Sequence, residues 1–332
     1  MQAAFLKNTD DVILRDVEAG ELGGSEVLVK VDACGICGTD IMTARKGVAE
    51  YKRFGHEVAG TVLEVGCDVT RFKAGDTIVM DSSSACGQCN SCKDMRQEYC
   101  ENLVPLQFTG FSEVMKVREI SLVKYSGLDP YAACLAEPLG VALDIFNVAE
   151  VKAGDVVLVS GLGPIGLMAL QLAKWAGASK IYACELSDST KRKELALQFG
   201  ADEIIEVDKM PVKDYKFDMK PNKLLVTSPP STIPDLLGVA AMGAIAAFIG
   251  IETGAAGNIT FDANYFHFNK LQLRGSFASP AMRTPLAVKL LEDGVIDGKA
   301  LVSHRFKLKD IADAIKFACE NKVDTAKIVI EN

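Results

Sequence analysis

The stretch from Asp155 to Glu185 constrains this chain more than any other. Asp155-Val-Val-Leu-Val-Ser160 is a continuous apolar run, as expected of a strand buried on both faces. Gly161-Leu-Gly163-Pro164-Ile165-Gly166 follows it. Leu167 to about Ala176 then carries apolar residues at helical spacing. Lys180-Ile-Tyr-Ala-Cys-Glu185 reads as a second strand. Strand, helix and strand within roughly thirty residues make a βαβ unit. In that setting each glycine has a task. Gly161 permits the tight turn, Gly163 lets the backbone approach a pyrophosphate, and Gly166 lets helix and strand pack closely. The helix N-terminus, with Pro164 and Ile165 in its first turn, then faces the phosphates. Glu185 ends the second strand, where a carboxylate accepts bonds from an adenosine ribose diol and repels a 2′-phosphate. NAD(H) is therefore favoured over NADP(H). Lys191 and Arg192 lie close by and could help a phosphate. The bland alternative is a glycine turn that serves packing alone.

The alternation continues downstream. Lys191–Phe199 reads as a helix and Glu203–Val207 as a strand. Asn222–Thr227 is a strand, Pro234–Met242 a helix, and Ala244–Ile249 and Leu271–Ser276 are strands. This pattern predicts an α/β domain with a doubly wound parallel sheet, a Rossmann fold. Two helices follow, at about Met282–Asp293 and Lys309–Glu320, with a last strand at Lys327–Ile330. The first 85 or so residues have a different texture. Val27–Val31 and Gly60–Val65 are short strand-like runs between Gly and Asp turns, and helix-length periodicity is scarce.

Cysteine usage adds a second constraint. Cys86, Cys89, Cys92 and Cys100 are packed into one short segment. Four thiolates at this spacing can close a tetrahedral Zn–S4 site with no open position, which makes it structural. The chain has 10 cysteines in 332 residues, too few for a disulfide scaffold. Four reduced, unmetallated thiols and a zinc-ribbon module are the alternatives. The acidic neighbours Asp81, Asp94, Glu98 and Glu101 argue against nucleic acid, as does the net charge of −8. No apolar run approaches the roughly 20 residues of a membrane span, and the N-terminus lacks a signal-peptide pattern. These readings favour a cytoplasmic protein without membrane or nucleic-acid partners.

A sparser set carries catalytic potential. Cys34-Gly-Ile-Cys37-Gly-Thr39-Asp40 follows a strand, Gly55-His56-Glu57 comes next, and Ala136-Glu137-Pro138 precedes the nucleotide-binding unit. Three separated ligands plus an open position describe a catalytic zinc. Only 3 histidines occur in the chain, so a metal site in the first half has only His56 to use. The bland readings are a redox dithiol at Cys34 and Cys37, a satisfied core histidine, and a helix-capping Glu137.

Taken together and in order, these motifs resemble the zinc-dependent medium-chain dehydrogenase/reductase family. Glu137, where alcohol dehydrogenases of the family carry cysteine, is similar to the polyol (sorbitol) and threonine dehydrogenase branch. The resemblance runs from the first residues to Ala326-Lys-Ile-Val-Ile330. It implies a GroES-like β-barrel catalytic domain at 1–138 and 277–332, with the zinc lobe at 86–100. A Rossmann domain at 139–276 is inserted between them. It implies two Zn2+ per chain, one held by Cys37, His56 and Glu137 and one by the four cysteines. Cys34 is not a ligand in that pattern. Glu57 stands beside the metal and could exchange with water as a ligand. Asp40 orients the ligand histidine, and Thr39 hydrogen-bonds the substrate oxygen and passes its proton on.

The implied activity is hydride transfer between NAD(H) and a secondary alcohol or ketone, with a polyol, cyclitol, sugar alcohol or sugar derivative as substrate. A homodimer or homotetramer is implied as well. A threonine-type dehydrogenase, a zinc-free quinone reductase and a non-catalytic zinc-ribbon protein are the alternatives. The chain also departs from its relatives. Met42 stands where many carry a proton-relay histidine. Ala278-Ser279 follows Gly275-Ser-Phe277, where sorbitol dehydrogenases have an arginine and an aromatic. Arg45 and Lys46 hint at an anionic substrate, or are simply surface residues.

Overall fold

The computed structural model describes residues 1–104, 109–321, 323 and 325–332. Before the inserted segment come β1 (Gln2–Asn8), β2 (Asp11–Asp16), β3 (Glu26–Gly35), β4 (Lys52–Arg53), β5 (Glu57–Val65), β6 (Thr77–Met80), β7 (Val114–Arg118) and β8 (Leu122–Lys124). Within it lie β9 (Val156–Ser160), β10 (Lys180–Glu185), β11 (Glu203–Glu206), β12 (Lys223–Val226), β13 (Ile245–Phe248) and β14 (Gln272–Gly275). After it come β15 (Val302–Lys307) and β16 (Lys327–Glu331). The chain divides into one unit of residues 1–140 with 278–332 and another of residues 141–277.

In the first unit, chain ends far apart in sequence share one sheet. Its order is β15-β16-β3-β5-β6-β8, with β7 also paired to β3. β16 runs antiparallel to β3, matching Ile330 to Cys34 and Val329 to Gly35. A second sheet, β2-β1-β4, flanks it. Alternating side chains such as Val27, Val29 and Val31 turn inward and meet Val58, Val62, Ile78, Ile328 and Ile330 in one apolar core. That core fixes the backbone from which Cys37, His56 and Glu57 project.

In the second unit the sheet order is β11-β10-β9-β12-β13-β14, with every pairing parallel. This is the doubly wound order, with its switch point between β9 and β12. β9 is buried along its whole length, as its uninterrupted apolar run requires. The helix Pro164–Trp175 leaves β9 through the glycine turn.

The sequence reading missed some elements. A helix, Gly38–Lys46, lies in the supposedly helix-free first part. Its periodicity is weak, because only Asp40 and Ala44 are buried. What starts it is its N-terminus, where the Cys37 N–H donates to Asp40 Oδ2 at 3.0 Å. A further short helix, Ala263–Phe268, is capped by Asp262, which accepts from the N–H groups of Asn264 and Tyr265. The stretch Pro130–Val148 is long and apolar enough to cross a membrane, contrary to the sequence expectation. Two thirds of it is buried inside the protein, the pattern of a core helix.

Candidate active site

Among the described residues, two clusters of metal-ligating side chains form in the first unit. In one, a ligand atom from each of Cys37, His56 and Glu57 lies within 4.8 Å of the other two. Cys37 is the residue that caps the helix Gly38–Lys46. His56 follows Gly55, whose φ of +88° is a left-handed conformation. A Cβ on Gly55 would also run into the ring of Phe111, so only glycine fits this bend. Glu57 opens β5. Glu137 is buried in the first turn of the helix Ala136–Val148 and accepts a hydrogen bond from Ser82. The charges of His56 and Glu57 act on it, but it stands outside the 4.8 Å set.

The site is mostly buried and gathers charges of both signs. Burial disfavours the charged form of His56. Hydrogen bonding and charge from Cys37, then the charges of Glu137 and Asp40, outweigh it and push His56 up to about 10. Burial pushes both Asp40 and Glu137 up from the ordinary carboxyl range, although the charge of His56 opposes this in each case. Asp40 caps its helix through Cys37 N–H and faces His56 by charge. One sulfur, one imidazole and carboxylates form a donor set suited to zinc. Thr39 is exposed on the first turn of the same helix, and Met42 lies one turn on at 40% exposure.

Cys34 is buried in the core with β3, and its thiol donates to the Gly35 carbonyl oxygen. It is absent from both metal-ligating clusters. Arg45 donates to the carbonyl oxygen of Cys319, and Arg45 and Lys46 are both exposed. This arrangement matches the surface reading of the pair. His304 packs its ring at a tilt against Phe317, with ring centroids 4.7 Å apart, and contacts Ser303.

One residue went unnoticed in the sequence. Lys327 of β16 is buried and its ammonium pairs with Glu57, also donating to the Ile36 carbonyl at 3.0 Å. The only signal was a lysine inside the apolar run Ala326–Ile330.

The second cluster gathers the sulfurs of Cys86, Cys89, Cys92 and Cys100 within 4.8 Å of one another. Backbone amides stabilise the thiolates. The N–H groups of Gln88 and Cys89 donate to Cys86 Sγ at 3.4 and 3.3 Å, and that of Cys86 donates to Cys100 Sγ at 3.3 Å. Amides of Glu101 and Cys92 bring Cys89 down to about 6, whereas burial and the neighbouring sulfurs push Cys92 up to about 12. Four sulfurs this close ionise together only around a cation, so the residues fit a closed zinc site.

In the second unit, the glycine turn has the shape a dinucleotide requires. Gly161 has φ +89°. A Cβ on Gly166 would collide with the Gly161 carbonyl oxygen, so the third glycine is obligatory for packing. A Cβ on Gly163 would meet nothing within 4 Å, which keeps the backbone before the helix open. Pro164 occupies the first position of that helix, and Ile165 follows it. Glu185 is fixed by the N–H groups of Leu162 at 2.8 Å and Leu186 at 2.9 Å. Its carboxylate keeps further acceptor positions. The cation beside it is the buried Arg192, whose Nη1 lies 4.0 Å away, while Lys191 is exposed.

Comparison with known proteins agrees with this geometry. Residues 23–127 match the family described as alcohol dehydrogenase GroES-like domain, and residues 164–293 match that described as zinc-binding dehydrogenase. Sorbitol dehydrogenase of Bacillus subtilis (strain 168) is 28% identical, aligned over 99% of this chain and 97% of its own length. L-threonine 3-dehydrogenase of Burkholderia multivorans is 26% identical over 99% and 98%. Among solved structures, the alcohol dehydrogenase TADH from Thermus sp. ATN1 superposes with a TM-score of 0.89 at 25% identity. That match covers 100% of this chain and 99% of the other.

Proposed function

The chain belongs to the zinc-binding alcohol dehydrogenases of the medium-chain dehydrogenase/reductase family, and we propose on that premise how its own residues divide the work. It is a zinc-dependent NAD(H) oxidoreductase that interconverts a secondary alcohol and a ketone. Its substrate is a polyol, cyclitol, sugar alcohol or sugar derivative. The observation that carries this reading is the convergence of half-buried Cys37 with buried His56 and Glu57, with Glu137 in the same field.

Cys37, His56 and Glu137 would hold the catalytic zinc, and the four cysteines a structural one. When bound, zinc supplies Lewis acidity that lowers the pKa of an alcohol, and nicotinamide accepts the hydride. The remaining work belongs to side chains. Thr39 receives the proton of the substrate hydroxyl and passes it outward. Met42 has no group that exchanges a proton, so on this chain the relay ends at Thr39, which is exposed to water. Asp40 holds the start of its helix, and so the position of Cys37, through the hydrogen bond at 3.0 Å. Lys327 keeps Glu57 in a defined place beside the ligands. Gly161, Gly163, Pro164, Ile165 and Gly166 would hold the pyrophosphate, Glu185 would take the ribose diol, and Lys191 would serve the adenosine end. We place the protein in the cytoplasm, since none of its 10 cysteines is in a disulfide. A homodimer or homotetramer is the assembly we infer, because β14 is an open edge of its sheet.

A substrate screen by NADH absorbance tests this reading. Polyols and sugar derivatives should give turnover with NAD. L-threonine giving the only turnover would move the protein to the hydroxy amino acid branch, which the 26% identical relative keeps in view. Failure of NADH fluorescence to change on mixing would sink the dehydrogenase reading altogether.

A further inference from the structure

β4 ends on a charged residue that the activity above does not use. Arg53 is half-buried, and its Nε and Nη2 are buried with no hydrogen-bond partner among the described residues. A guanidinium carries five donors, and leaving buried donors unmet costs stability. Such a cost is expected at functional positions rather than at structural ones.

The neighbours of Arg53 add positive charge. In the register of β4 on β1, Arg53 lies opposite Phe5, and Phe5 lies opposite Ile13 of β2. Tyr51 stands two residues earlier and shares a cation with Phe5. The Arg15 guanidinium sits over the Phe5 ring at 4.9 Å and over the Tyr51 ring at 4.5 Å, and Lys7 lies over Tyr51 at 5.6 Å. Asp11 accepts a hydrogen bond from the hydroxyl of Tyr51. Arg53 is also close to the reaction centre along the chain. It stands three residues before His56, and an extended chain spans at most about 3.6 Å per residue, so the two Cα atoms lie within about 11 Å. A sugar-sized substrate is long enough to reach both.

We propose that Arg53 binds an anionic group of the alcohol substrate, a carboxylate or a phosphate, making the substrate an acidic sugar derivative. The planar fork of a guanidinium matches both anions through paired hydrogen bonds. The inference rests on the dehydrogenase reading above and narrows its substrate class. Arg45 and Lys46, the basic pair suspected from sequence, are not needed for it.

The test uses the zinc- and NAD-loaded full chain. Turnover is compared for sorbitol, gluconate and a hexitol phosphate in wild type, Arg53→Leu and Arg53→Lys. Losing a charged hydrogen-bond partner should lower kcat/KM for the anionic substrate about 10- to 100-fold, chiefly through KM, with partial rescue by lysine. Sorbitol turnover should stay within about threefold. A second readout needs no turnover. Without ligand, Arg53→Leu should melt at or above wild type, because the unmet donors are gone. Inorganic phosphate or gluconate should raise the Tm of wild type only, and whichever anion does so names the source. A lower Tm for unliganded Arg53→Leu would make the residue structural. Anions that leave the wild-type Tm unmoved, or equal losses for sorbitol and the anionic substrates, would overturn the proposal. If no alcohol is turned over, the dehydrogenase reading fails, and the melting arm still decides whether Arg53 holds an anion.

Discussion

At the scale of single residues, the buried pair of Lys327 and Glu57 is the feature most exposed to test. Both side chains are within 3% of full burial, and a buried pair that loses one member leaves an uncompensated charge. Lys327→Met should therefore destabilise the zinc-loaded protein by about 3–5 kcal/mol in denaturant unfolding. Adding Glu57→Gln should restore most of that loss. A Cβ on Gly35 would collide with the Glu57 carboxylate and crowd Lys327, so Gly35→Ala should cost about 1–3 kcal/mol. Asp81 gives a pH signature. Burial pushes its carboxyl up to about 7, with the charge of Glu137 adding, while a hydrogen bond from Thr284 and the charge of Arg71 oppose. A carboxyl raised on folding binds its proton more readily in the native state. Its contribution to stability is full below about pH 4 and is lost as pH rises through 7. Asp81→Asn should thus gain stability over wild type progressively from pH 4 to 8, by roughly 4 kcal/mol. A difference independent of pH would contradict this. Of these residues, Lys327 was not legible in the sequence as a site feature. Lys327 reads as one polar residue in an edge-like strand until β16 is seen lying between β15 and β3.

At the scale of elements, legibility followed the strength of the local signal. The inserted unit repeats apolar strand, turn and amphipathic helix, and its strands fall within a residue or two of where the sequence places them. The helix Gly38–Lys46 was invisible because capping, rather than an apolar stripe, starts it. Arg53 escaped notice for a related reason. β4 is only two residues long, too short for alternation to say which face it presents. The glycine turn allows an element-level contrast. Gly163 has φ −64°, which any residue adopts, and an open Cβ direction. Gly163→Ala should therefore leave Tm unchanged while weakening NADH binding about tenfold or more. Gly166→Ala should instead lower Tm, because its Cβ would meet the Gly161 carbonyl oxygen. Calorimetry with NADH titration separates the two.

At the scale of the whole molecule, two metal-ligating clusters in one unit are assigned two different tasks. The four-cysteine cluster was readable from spacing alone, since its ligands lie in one segment. The catalytic set was not. Cys34 and Cys37 have equal claims by spacing, and only the fold buries one in the core while setting the other beside His56. Glu137 reaches the same field from a helix far along the chain. The central claim is this division of labour, and zinc content read together with NADH turnover tests it most directly. Wild type should carry about two zincs per chain. Cys37→Ala should keep about one, stay folded and lose turnover, whereas Cys89→Ala should lose stability along with the other zinc. A wild-type content of one zinc, or a Cys37→Ala enzyme that still turns over its alcohol, would contradict the account.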